Sequence, residues 1–378
     1  MAIERHTLLL TGDSVLVGLS GGPDSVALLH LLTRLRKTLA LKLSAVYFNH
    51  GLRPVAARKE EKFCEEICLR WHIPLTIIRE NIPALAKRRR VGIEEAARDF
   101  RYAELEDLAA KLGCSRIALG HQADDQVETV LFRILRGTGR TGLAGIPVRR
   151  GKIIRPILDI TRAEILAYLK SRRISYCEDT SNANIVFSRN YLRHRLLPLI
   201  RREINPKVDR NIRDLAETLS EEESFLDQMS RRVFRRLVKI TTGGKLMLDL
   251  QIYVGYPLWL RRRILRAAVA ELAGNRLSLE KSAVDRIDRA ALIGTGSISI
   301  GKGIQVEIAR QKIVFAQAVG TTAETALLID NRWVKARSLT IELRARVRRR
   351  KSRSIPKLRG GSRVVVDRQK LSPPLSIR

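Results

Sequence analysis

The chain has 378 residues, 45% of them apolar, which excludes a disordered chain and is enough for two to three domains with proper cores. Lys and Arg number 71 against 39 Asp and Glu, and the net charge of +32 far exceeds what solubility requires; it points to a polyanionic partner, with nucleic acid the leading candidate. Residues 1–6 carry no long apolar core, and no segment approaches the roughly 20 apolar residues of a membrane span, so the sequence predicts a cytoplasmic protein with no membrane partner. Cys64, Cys68, Cys114 and Cys177 form no C-x-x-C pair and indicate neither a zinc site nor a redox pair.

In chain order, the apolar run Val15 to Leu19 reads as a strand and Val26 to Leu32 as a helix, so Ser20-Gly21-Gly22-Pro23-Asp24-Ser25 occupies a strand-to-helix turn. Such a turn suits an anion. Two glycines admit close backbone approach, Pro23 is tolerated where an early helical N–H lacks a partner, and the helix start offers free N–H groups and partial positive charge. Ser20 and Ser25 add hydroxyls. The loop is neither a Walker A nor a dinucleotide fingerprint. Without the lysine that steadies a transferring terminal phosphate, it suits an enzyme that holds pyrophosphate as a leaving group.

Strand signals follow at Leu43 to Phe48, Leu75 to Ile78 and Ile117 to Leu119, and helix signals at Pro54 to Trp71, Ile93 to Leu112 and Asp125 to Leu135. This alternation predicts an α/β fold with a parallel sheet flanked by helices, whose ligands bind at the carboxyl ends of the strands. Two further strand-end loops carry chemistry. Asn49-His50-Gly51-Leu52-Arg53 sets an amide, an imidazole and a guanidinium where they can meet a base, a ribose or phosphates. In the loop from Gly120 to Glu128, Asp125 and Glu128 lie three apart on an incipient helix, so both carboxylates can point one way, towards a magnesium ion or an ammonium substrate. The ordinary alternative is acidic stabilisation of a helix start.

The glycine-rich run Arg136 to Gly145, flanked by Arg133, Arg149 and Arg150, suits a lid, an RNA-facing loop or a plain connection. Thr161 to Glu164 is a capping box. From Val208 the pattern turns helical, with Arg231, Arg232, Arg235, Arg236 and Arg261-Arg262-Arg263 offering a basic face for an RNA backbone. From about Gly296 short strands are expected at Ser297 to Ile300, Gln305 to Ala309 and Lys312 to Ala316, and another at Leu339 to Val347 before the basic run Arg348 to Arg353.

The ordered motifs SGGPDS at 20–25, NHGLR at 49–53, EEAARDFRY at 94–102 and LGHQADDQVETVLFRILRGTG at 119–139 resemble those of the tRNA(Ile)-lysidine synthetases, members of the PP-loop ATP pyrophosphatases. RPIL at 155–158, Asp179 to Asn182 and SRNYLRHRLLP at 188–198 extend the resemblance over about the first 205 residues. It implies an adenine nucleotide alpha hydrolase-like fold and ATP-dependent joining of free L-lysine to the wobble cytidine of the CAU anticodon of an isoleucine tRNA. The base is adenylated with loss of pyrophosphate, and lysine then displaces AMP.

The resemblance also implies site residues. ATP falls to Ser20, Gly21, Gly22, Pro23, Asp24, Ser25, Asn49, His50, Arg53 and His121. Asp24, Asp125 and Glu128 are placed to hold magnesium or the lysine ammonium, with Asp24 and Asp125 the candidate Mg2+ ligands and Asp125 or Glu128 the general base. Arg98 and Arg101, three apart on one helical face, would contact phosphate or cytidine. The expected domains are 1–206 catalytic, 207–293 helical and tRNA-binding, and 294–378 β-rich, the last leading into a further C-terminal domain of the longer relatives that is absent here. A homodimer is left open. The alternatives are a PP-loop tRNA thiolase, which typically uses paired cysteines, and a non-enzymatic basic RNA-binding protein, which leaves the phosphate loop unexplained.

Overall fold

The computed structural model describes residues 2–52, 54–177, 188–241, 243–273, 279–301 and 303–317. Arg53, the stretch from Asp179 to Asn182, the strand expected at Leu339 to Val347, the basic run after it and the expected lead-in at the C-terminus lie outside the described residues. The chain forms two compact units, Met1–Leu226 and Asp227–Arg378. The division falls inside the helix Val208–Leu237, whereas composition had suggested a boundary at its start.

The first unit is built on β1 (Ser14–Gly18), β2 (Lys42–Asn49), β3 (Leu75–Arg79), β4 (Arg116–Ala118), β5 (Arg149–Arg150) and β6 (Ile153–Ile154), in the order β3-β2-β1-β4-β6-β5. Every pairing is parallel except the β5–β6 hairpin. Both faces of the sheet are covered, which explains why β1 reads as continuously apolar. Val15 and Val17 face a core shared with Leu28, Leu29 and Leu32 of the helix Pro23–Leu35, while Leu16 faces the opposite core with Leu105, Ala109 and Ile117. Each of those three helix leucines is fully buried, worth about 2 kcal/mol apiece. They anchor the helix that carries the glycine loop. Chain order reverses direction between β1 and β4, and a sheet of this kind opens its ligand crevice at the carboxyl ends of such a pair. The two loops that leave β1 and β4 therefore face one another.

The second unit holds a five-stranded antiparallel sheet, with β7 (Val238–Ile240), β8 (Leu246–Asp249), β9 (Gly296–Ile300), β10 (Ile304–Ala309) and β11 (Lys312–Gln317) in the order β7-β8-β11-β10-β9. Helices Leu258–Ala273 and Lys281–Ile293 share one core with it, through Ile264, Leu265, Val284, Ile287, Val306 and Phe315. Buried Asp288 accepts from the Tyr253 hydroxyl at 2.7 Å and from Arg261 at 2.9 and 3.0 Å. The first arginine of the 261–263 run is thus a fully partnered interior ion, removed from the basic face.

Candidate functional site

The glycine loop is held by its own hydroxyls. Ser25 Oγ accepts from the Ser20 amide at 3.1 Å and donates to the Gly22 carbonyl at 3.0 Å, so its proton serves the shape of the loop. Gly21 has φ +79°, which favours glycine, and a Cβ there would also meet Cys177 Sγ at 3.4 Å. Gly22 is the N-cap and Pro23 opens the helix, leaving early amides directed outwards. On the facing loop, a Cβ at Gly120 would stand 3.2 Å from the backbone of Asp24 and Ser25. Only glycine lets the two strand-end loops come this close.

The carboxylates sit where these loops meet. Gln122 and Asp125 form a capping box at the start of the helix Ala123–Leu135, Asp125 Oδ2 accepting from the Gln122 amide at 3.1 Å. Arg193 then bridges the pair that the sequence singles out: its Nε lies 2.5 Å from Glu128 Oε1, and its Nη2 lies 3.0 Å from Glu128 Oε2 and 3.4 Å from Asp125 Oδ1. Glu128 is buried. Burial pushes its carboxyl up in spite of Arg193, yet a guanidinium does not surrender its proton and the forked geometry is that of an ion pair. Both oxygens of Glu128 are therefore engaged by the protein itself.

A cavity of about 390 Å³ lies at the carboxyl end of β1, lined by Ser20, Asp24, His50, Arg101 and His121 among others. Five buried side-chain atoms among the described residues lack a hydrogen-bond partner, and three of them, Asp24 Oδ1, His50 Nδ1 and Arg101 Nε, belong to residues lining this one cavity. An orphaned buried polar atom costs about 1–3 kcal/mol, so their convergence marks a place shaped for a polar ligand. Desolvation, with help from Asp125 and Asp124 and against Arg162 and Arg193, pushes Asp24 up to about 6. Burial and the neighbouring Arg101 push His50 down, favouring neutral imidazole, and burial pulls Arg101 down from its ordinary value. Leu19, Phe48, Leu105 and Leu119 add apolar walls, and Ser25, Tyr47, Glu60 and Cys177 complete the polar part of the lining.

Beside the cavity, four arginines converge on one tyrosine. The guanidinium carbons of Arg150, Arg98 and Arg101 stand 4.8, 5.7 and 6.0 Å from the Tyr102 ring centre, and Arg155 Nη2 reaches the Tyr102 hydroxyl at 3.5 Å. Arg155 is buried and also donates to the Pro147 carbonyl at 2.5 Å and to His121 Nδ1 at 3.3 Å. Among the described residues, no carboxylate pairs with any of the four.

Ser20, Gly22, Asp24, Ser25, His50, Arg101 and His121 line the cavity; Asn49, Arg98, Asp125 and Glu128 do not. Asn49 instead fixes its own turn, donating to Glu61 at 2.7 Å and accepting from the Gly51 amide at 3.0 Å. Arg98 is exposed on the Tyr102 side. Arg193, Arg155, Arg162 and Tyr102 stood inside or beside the quoted motifs with no role attached. Arg162, which extends to Asp24 Oδ2 at 3.5 Å, follows a capping-box threonine, and nothing in its spacing betrays that reach. No group of three or more acidic, histidine or cysteine side chains suited to a metal occurs among the described residues.

Residues 3–200 match the PP-loop domain, so the glycine loop, the facing carboxylates and the parallel sheet belong to an ATP-using PP-loop unit. The chain is 36% identical over 317 residues to the tRNA(Ile)-lysidine synthase of Geobacter sulfurreducens, covering 83% of this chain and 67% of that one. It is 36% identical over 342 residues to that of Symbiobacterium thermophilum (88% and 71%) and 35% over 308 residues to that of Chlorobaculum tepidum (80% and 91%). The chain belongs to the tRNA(Ile)-lysidine synthase family.

Proposed function

We propose that this protein adenylates the carbonyl oxygen of the wobble cytidine in an isoleucine tRNA bearing a CAU anticodon, releasing pyrophosphate, and that the side-chain amine of free lysine then attacks the activated carbon and expels AMP. The observation that carries this reading is the cavity in which Asp24 Oδ1, His50 Nδ1 and Arg101 Nε converge between an anion-binding loop and an acidic loop. ATP phosphates are received by the backbone amides around Gly21 and Gly22 and by the helix start, and Arg101 answers the charge that develops on the leaving pyrophosphate. The apolar walls suit a purine, and neutral His50 offers it one donor and one acceptor.

Free lysine arrives as an ammonium and must lose a proton before it can attack. Asp24 is the best placed acceptor, since it keeps a buried oxygen without a partner and titrates near 6, whereas Glu128 is held by Arg193 and Asp125 by Gln122 and Arg193. The orphaned oxygen of Asp24 also fits a magnesium ion, which would relieve charge on the pyrophosphate; the other expected ligand, Asp125, is engaged by Gln122 and Arg193 and would have to exchange one of those contacts to join it. No described helix is long and apolar enough to cross a membrane, and the proposed tRNA substrate suits a cytoplasmic enzyme. A thiolase reading is not favoured: the similar chains are named tRNA(Ile)-lysidine synthases, and the four cysteines form no C-x-x-C pair.

The two half-reactions can be separated. Pyrophosphate release is expected to require the tRNA and ATP but not lysine, and AMP release to require lysine as well. AMP release that ignores lysine, or that depends on a sulfur donor, would contradict the proposal.

A further inference from the structure

Tyr102, Arg98 and Arg150 are not accounted for by ATP or lysine. Of the four cations only Arg101 lines the nucleotide cavity; Arg155 is buried at the Tyr102 hydroxyl, while Arg98 and Arg150 are exposed. Arg150 lies on β5, the edge strand of the sheet, and Arg98 on the helix Ile93–Lys111, so two separate elements bring guanidiniums to one aromatic surface. Among the described residues neither has a carboxylate partner, and their polar edges are left for an external anion. A guanidinium stacked on a ring is already oriented, which suits forked binding of a phosphate.

We propose that Arg98 and Arg150, held against Tyr102, form a clamp for a backbone phosphodiester of the substrate tRNA next to the nucleotide being modified. This inference rests on the tRNA reading given above and adds to it a defined RNA contact outside the catalytic cavity. The shared chemistry with ATP is phosphate, and position decides between the two sources: Arg98, Arg150 and Tyr102 are all absent from the cavity lining. The carboxylate-free charge cluster stays uncompensated until RNA arrives, and Tyr102 converts two mobile side chains into one prearranged site.

The test is binding of the unmodified CAU-anticodon isoleucine tRNA to the full chain at several salt concentrations, with ATP affinity measured in parallel. Arg150→Ala is expected to weaken tRNA binding about tenfold at low salt and to lower the slope of log K against log salt by about 1, with ATP affinity unchanged. Tyr102→Leu is expected to weaken tRNA binding while keeping the slope, because the number of charges is the same, and Tyr102→Phe to restore most of the affinity. An unchanged affinity and slope for Arg150→Ala overturns the clamp. So does an equal loss of ATP affinity, which would assign the site to the nucleotide. Lysidine formation by the unaltered chain is scored separately: if it is absent, the functional reading fails, whatever the binding curves show.

Discussion

Asp24→Asn is expected to abolish lysine transfer, lowering it at least about a thousandfold, and at the same time to make the ligand-free protein more stable at pH 8. The two effects share one cause. Asp24 sits at the start of its helix with one oxygen buried and unpartnered, and desolvation raises its carboxyl from 3.8 to about 6. A carboxyl whose folded value lies above its unfolded value costs stability progressively as pH rises through that window, and the full cost is present above about pH 6. At about 1.4 kcal/mol per unit this amounts to about 3 kcal/mol, the opposing pull of Arg162 included, and it is an upper figure because Asp24 keeps partial contact with solvent. Thermal melts should therefore place Asp24→Asn several degrees above the parent at pH 8 and level with it near pH 4. A variant that is equally stable at both pH values, or that keeps lysine transfer, would remove Asp24 from the role given to it. In the unaltered enzyme the same titration predicts lysine transfer that declines as pH falls through about 6.

Arg193→Met is expected to destabilise the first unit by about 3–5 kcal/mol, the cost of leaving buried Glu128 without its counter-charge. Glu128 can escape part of that cost by taking up a proton, and its carboxyl is already raised by burial, so the loss should be greater at pH 8 than at pH 5. Adding Glu128→Gln should recover much of it, because a neutral amide needs no cation. Denaturant titration of the two single variants and the double one gives the coupling directly. Additive losses, or a stable single variant at pH 8, would show that the ion pair has little energetic weight. The segment that carries Arg193, Leu192–Leu196, is a π-helical turn, a geometry often found at functional positions because it redirects side chains that a regular helix would aim elsewhere.

The sheet and its ligand edge were legible because each signal was local. The helices expected at Ile93 to Leu112 and Pro54 to Trp71 form at Ile93–Lys111 and Pro54–Arg70, and the strand expected at Leu43 to Phe48 forms at Lys42–Asn49. The hairpin of β5 and β6 escaped because its strands are two residues each and one is Arg149–Arg150, a pair that reads as surface charge. Helix Ile82–Arg89 escaped because Pro83 and four consecutive cations, Lys87 to Arg90, leave little apolar periodicity, though Asn81 caps it with a 3.0 Å bond to the Ala84 amide.

In the site, residue type and position after a strand were enough for Ser20 and His50, and the family resemblance added Asp24 and His121, all of which line one cavity. Partnership was not legible. Asn49 turns to Glu61, twelve residues on, and Arg193 reaches carboxylates 65 and 68 residues back in the chain. Such pairings depend on how helices pack across the sheet, and spacing along the chain says nothing about that. The same blindness covers Tyr102, an unremarkable position in EEAARDFRY until Arg150 arrives from the sheet edge.

Whether this chain joins lysine to the wobble cytidine of an isoleucine tRNA at the expense of ATP is decided by mass analysis of the nucleosides of a CAU-anticodon tRNA after incubation with the protein, ATP and lysine. The expected product is a cytidine heavier by one lysine less one water, found at the wobble position and requiring both ATP and lysine. Unmodified cytidine despite ATP consumption, or a sulfur-bearing product, would contradict the proposed function.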